Sequence, residues 1–92
     1  MLAALPAQAA EPRFPTLSGR VVDEAGIIKP DDKRALETEL AALETKSSDQ
    51  LVVVTLKSLQ GYEIEDFGYR LGRHWGIGQA GGKNNGIILI VA

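Results

Sequence analysis

Two runs constrain this 92-residue chain more than any other feature: Leu51-Val52-Val53-Val54-Thr55-Leu56 and Ile87-Ile88-Leu89-Ile90-Val91-Ala92. Both are apolar without alternation and rich in β-branched side chains, the pattern of strands covered on both faces. Between them, past a turn at Gln60-Gly61, Ile64, Phe67, Leu71 and Trp75 recur with a helical period. Strand, helix, strand predicts a parallel βαβ unit, and such crossovers are right-handed in nearly all cases. Gly68 and Gly72 share the apolar face of that helix. Glycine there costs about 1 kcal/mol relative to alanine, so a close approach of helix to sheet is the expected justification.

Upstream, Pro30-Asp31-Asp32 opens a second helix: proline fits a first helical position, and the two carboxylates favour the positive end of the helix dipole. Leu36, Leu40 and Leu43 form its inward stripe, with Arg34, Glu37, Glu44 and Lys46 turned to water, and Ser47-Ser48-Asp49 ends it. Thr16 to Gly26 reads as an ordered loop with a short strand at Val21-Val22. The first helix can cover one face of the sheet and the second helix either face; the expected fold is α/β, a three-layer α/β/α sandwich with a mainly parallel sheet, truncated. The last strand depends on whatever covers its second face and free edge.

Residues 1–14 read as the remnant of a secretory signal peptide. Leu2 to Leu5 form an apolar stub, Pro6 ends it, and Ala7-Gln8-Ala9 supplies small side chains at the −3 and −1 positions of a cleavage site. A basic n-region is missing, since the first basic residue is Arg13. Residues up to Pro15 are expected outside the core, and 15–92 to form the domain. The chain thus reads as beginning inside a leader and ending before its fold does, with export to the periplasm or another extracytoplasmic space. Ten basic residues against 12 acidic, a net charge of −2, offer no positive field for nucleic acid. The absence of cysteine removes disulfides, zinc–thiolate sites and cysteine nucleophiles together. No apolar run reaches the roughly 20 residues that cross a bilayer.

Candidate chemistry is sparse. Gly76-Ile77-Gly78-Gln79-Ala80-Gly81 has dinucleotide-fingerprint spacing, but a helix precedes it and a strand follows. The pyrophosphate needs the reverse order, so no nucleotide is expected. His74, the only histidine, closes a helix beside Trp75 and complements the dipole there. Glu63, Glu65 and Asp66 do the same at the other end. Asp23-Glu24 lies in a loop bounded by turn residues. It can direct carboxylate oxygens at a hard cation, and Asp23 can equally form the turn by accepting backbone N–H bonds.

A series of motifs in order resembles the TPM domain family. It runs from Gly19-Arg20-Val21-Val22-Asp23-Glu24-Ala25-Gly26-Ile27-Ile28 through the leucine-striped helix, the first apolar run and Leu59-Gln60-Gly61-Tyr62-Glu63-Ile64-Glu65-Asp66. Trp75-Gly76-Ile77-Gly78 and Asn85-Gly86-Ile87-Ile88-Leu89-Ile90-Val91 complete it. The resemblance covers residues 15–92. It implies an α/β/α sandwich in an extracytoplasmic setting, often with a C-terminal membrane anchor. Plant relatives act in photosystem II repair in the thylakoid lumen, and members are associated with phosphatase activity and divalent cations. Two positions depart from the family pattern: Asn84 stands where aspartate often precedes the Asn-Gly pair, and Lys29 stands at an N-cap where serine is favoured.

These readings lead to an exported binding or assembly module at a membrane surface, with a membrane protein or membrane-associated complex as partner. The rival is a divalent-metal-dependent phosphatase in which Asp23, Glu24, Asn84 and Asn85 hold Ca, Mg or Mn. A calcium site serving structure alone is the third.

Overall fold

The first apolar run becomes the centre of the sheet. In a computed structural model, which describes residues 12–77 and 86–92, the elements in chain order are β1 (Val21–Asp23), α1 (Pro30–Ser47), β2 (Gln50–Thr55), α2 (Ile64–Trp75) and β3 (Gly86–Val91). The sheet order is β1-β2-β3 and all pairings are parallel. Val21 sits opposite Val53 and Asp23 opposite Thr55, while Gln50 faces Gly86 and Thr55 faces Val91.

Strand residues alternate between two cores. Val21 and Val53 pack with Leu40 of α1, joined by half-buried Ile28, Leu36 and Leu51. Val22, Val54 and Leu56 pack with Phe67 and Leu71 of α2, joined by Trp75, Ile88 and Ile90 among others. β2 is therefore covered on both faces, as its lack of alternation required. The layers are α1, sheet, α2, the three-layer arrangement expected.

The two connections between strands differ in hand. The chain steps from β1 to β2 to β3 in one lateral direction, once through a helix on one face and once through a helix on the other. Two such connections have opposite hands, so one of them is the uncommon left-handed crossover.

β3 also differs from its uniformly apolar sequence. Ile88 and Ile90 face α2, but Ile87 and Leu89 are 56% and 53% exposed on the other face. The reason is lateral: α1 contacts β1 and β2 and does not reach over β3.

The helices begin and end as their residues dictate. Lys29 provides no side-chain cap to α1, as its chemistry requires, and Ser48 closes the helix in the left-handed conformation with its N–H on the Glu44 carbonyl. A Cβ on Gly68 would lie 3.2 Å from the Ile90 Cδ1, and one on Gly72 3.5 Å from the Ile88 Cδ1. The expected close approach is real at Gly68 and ordinary at Gly72. Glu37, expected to face water, instead turns under the sheet edge. Its two carboxylate oxygens accept the backbone N–H groups of Arg20 at 3.0 Å and Val21 at 2.9 Å. Glu44 likewise turns inward to pair with Arg20 at 3.1 Å.

Residues 12–15 were expected outside the core and are docked on it. The Gln60 carboxamide mimics a strand partner for Arg13, accepting its N–H at 2.8 Å and donating to its carbonyl at 2.7 Å. The Trp75 indole N–H donates to the Pro15 carbonyl at 3.0 Å. Between these ties, the Phe14 ring meets Phe67 edge-on at 5.5 Å and lies 4.8 Å from His74.

Candidate functional site

Parallel strands put all their carboxyl ends on one side of the sheet, where open α/β folds bind ligands. Here that side carries Asp23 and Thr55, paired across β1 and β2, with Glu24 next in the chain. Thr55 is buried and donates its hydroxyl to Asp23 Oδ1 at 2.5 Å, while accepting the Ala25 N–H at 3.0 Å. Asp23 Oδ1 also accepts the Ile27 N–H at 3.1 Å, and Oδ2 the Ile28 N–H at 3.0 Å. Its carbonyl takes the Gly26 N–H at 3.2 Å, with Gly26 in the left-handed region at φ 68°. The carboxylate thus organises the whole connection from β1 to α1.

The same bonds set its acidity. The Thr55 hydroxyl first, then the Ile28 N–H, hold the Asp23 carboxyl below its ordinary range against a smaller opposing effect of desolvation. Glu24 is engaged as well, Oε1 accepting the Lys57 N–H at 3.2 Å.

Of the four residues expected to share a cation, two are placed together. Asp23 and Glu24 sit at the carboxyl end of the sheet. Asn84 and Asn85 lie outside the described residues. Gly86, the next residue, pairs with Gln50 at the amino end, five residues of strand from the Thr55–Val91 pair, or about 17 Å. A hard cation takes six to eight oxygen ligands. By themselves, two carboxylates already accepting N–H bonds are a poor fit to that demand, and among the described residues no three His, Cys, Asp or Glu side chains converge.

The other sequence candidates resolve into structural roles. Asp66 pairs with Arg70 one turn on, at 3.0 Å, and Glu65 shares the first turn of α2 with it. The Glu63 carbonyl accepts the Phe67 N–H at 2.9 Å as the helix starts. Gly76, the first glycine of the fingerprint spacing, is the left-handed C-cap of α2 at φ 67°, its N–H on the Arg73 and Gly72 carbonyls. Ile77 follows, buried and with its N–H on the Gly72 carbonyl at 3.1 Å, and residues 78–81 of that string lie outside the described residues.

Sequence reasoning missed Thr55. Its signal was present: the one hydroxyl in the apolar run Leu51–Leu56, at the carboxyl end of a parallel sheet.

A family model described as the TPM domain matches residues 21–92. The solution NMR structure of the N-terminal domain of a protein from P. gingivalis is similar, at 32% identity and a TM-score of 0.66 over 78% of this chain. The alignment covers 46% of that chain, so this one spans less than half of its solved relative's length. No curated protein matches it. A matching family model across three quarters of the sequence, and a relative that shares the fold and 32% of the aligned residues, place the chain in the TPM domain family.

Proposed function

We propose that this TPM-domain chain is an exported binding or assembly module that works at a membrane surface in the upkeep of a membrane protein complex. One observation carries the choice of binding over catalysis. The carboxylate best placed for chemistry, Asp23, is spent on structure, accepting one hydroxyl and two backbone N–H groups that fix the loop before α1. Export is supported by the apolar stub, proline and Ala7-Gln8-Ala9 at the start of the sequence. The membrane setting is supported by the family resemblance. Fractionation of cells producing the full protein, combined with cross-linking, tests the reading: an envelope-associated pool cross-linked to a membrane protein is the expected result, and a wholly cytosolic protein refutes it.

A divalent-cation-dependent phosphatase is the second reading, favoured by the lowered pKa of Asp23, which keeps it anionic at the ligand-binding end of a parallel sheet. A bound cation would supply charge neutralisation for a transferring phosphoryl group. Among the described residues, those that could hold it are Asp23 and Glu24 at the carboxyl end of the sheet. Hydrolysis of a generic phosphate ester that is abolished by chelator and by Asp23→Asn supports this reading; activity indifferent to both rejects it.

A further inference from the structure

The outer surface of α2 carries a second arrangement. A cleft of about 730 Å³ is lined by Phe14, Asp66, Tyr69, Arg70, Arg73 and His74, with Pro12 at its rim. Among the described residues its charges are not balanced. Asp66 is matched by Arg70 at 3.0 Å. The Arg73 guanidinium is exposed, and among the described residues its partners are a phenol hydroxyl at 3.0 Å and the Tyr69 ring at 5.6 Å, with no carboxylate. Tyr69 thereby fixes one edge of the planar fork, and among the described residues its other donors meet no acceptor. The His74 ring is held beside Phe14 at 4.8 Å. That wall is not incidental, since Gln60 and Trp75 anchor the backbone on both sides of Phe14.

We propose that this cleft binds a carboxylate side chain of a partner protein, with a neighbouring aliphatic side chain laid on Phe14 and Tyr69. The guanidinium fork matches a carboxylate in two parallel hydrogen bonds. Tyrosine and arginine are the side chains that dominate binding energy at protein interfaces. An anionic lipid surface is a poorer match, because membrane attraction takes clusters of four to eight cations and this chain carries a net charge of −2. The inference rests on the binding-module reading and names the chemistry of its partner.

The test is titration of the isotope-labelled protein with the blocked peptide acetyl-Leu-Glu-Leu-amide and with its Gln counterpart, following backbone amides of residues 69–74 and the Arg73 Nε–H. The Glu peptide is expected to bind at least about tenfold more tightly than the Gln peptide, as charge-assisted pairing requires. Arg73→Ala is expected to remove that preference and Arg73→Lys to reduce it. Arg73 is exposed, so the fold should persist in both variants; Tyr69→Phe, which frees the fork, gives an independent reduction if either variant is unstable. Equal binding of the two peptides, an unchanged preference in Arg73→Ala, or Arg73-dependent binding to phosphatidylglycerol vesicles without a peptide response would each overturn the proposal. A cytosolic protein that still prefers the Glu peptide would sink the membrane reading and leave the cleft intact; an envelope protein with no preference would do the reverse.

Discussion

Replacing Glu37 by alanine tests whether a helix side chain holds the first strand in register. Its two oxygens each accept one backbone N–H, from Arg20 and Val21, at 3.0 and 2.9 Å. Hydrogen bonds to a charged group contribute roughly 1.5–3 kcal/mol each when fully enclosed. The Glu37 side chain is half-buried, so water replaces part of the loss. A total of about 1–3 kcal/mol is therefore expected for the pair. With a urea slope of about 1 kcal/mol per molar for a protein of this size, the unfolding midpoint should fall by roughly 1–3 M. Faster hydrogen exchange at Val21 should accompany it, while the Phe67 amide changes only with global stability. Gly19 supplies the internal control. A Cβ there would lie 2.6 Å from Glu37 Oε2, so Gly19→Ala must displace the bound carboxylate. Gly19→Ala should destabilise the native sequence and cost much less in the Glu37→Ala background, the coupling expected of residues in contact. Additive effects of the two substitutions, or a Glu37→Ala midpoint within about 0.3 M of native, would refute the reasoning.

Three further outcomes follow from the same geometry. Gly72→Ala should stabilise α2 by up to about 1 kcal/mol in thermal or urea unfolding, because the added methyl meets Ile88 at ordinary distance; Gly68→Ala should gain less, since Ile90 must give way. Asp23 titrates below its unfolded value in the folded state, so its contribution is complete above pH about 4 and is lost as pH falls from there toward the lowered folded value; a thermal-midpoint series should show that acid limb flattened in Asp23→Asn. Gln60→Ala removes both ties to Arg13, about 0.5–1.5 kcal/mol each, and should weaken the nuclear Overhauser contacts between Phe14 and His74 without unfolding the sheet.

Periodicity made the main elements legible. The Leu51–Leu56 run marked a strand buried on both faces, and the Phe67–Leu71 spacing marked the helix that covers one of them. Helical spacing reports only which side of its own helix a residue occupies. It therefore sent Glu37 to solvent, although the backbone entering β1 lies close enough to present the Arg20 and Val21 N–H groups to it. The apolar identity of Ile87 and Leu89 could not reveal that α1 stops short of β3, because coverage depends on where another element crosses. Phe14 stands among prolines with no period at all, so its docking on Phe67 left no pattern to read. At the candidate site, Asp23 was visible through its turn neighbours. Its partner Thr55 is 32 residues away and becomes a neighbour only through strand pairing.

The pair of opposite-handed crossovers carries an economic logic for a sheet of three strands. Had both connections turned the usual way, α1 and α2 would lie side by side on a single face, and Leu51 and Val53 or Val52 and Val54 would meet water. Reversing one hand lets two helices enclose the middle strand from both directions. The obligatory slow step in assembly should then be the choice of face rather than the pairing of strands, because each strand joins the neighbour that precedes it in the chain. A permuted chain that begins at α2 and carries β1 on a new linker would lose that ordered growth while keeping every native contact. Comparing its refolding rate with that of the native order would separate topology from stability as the origin of the barrier.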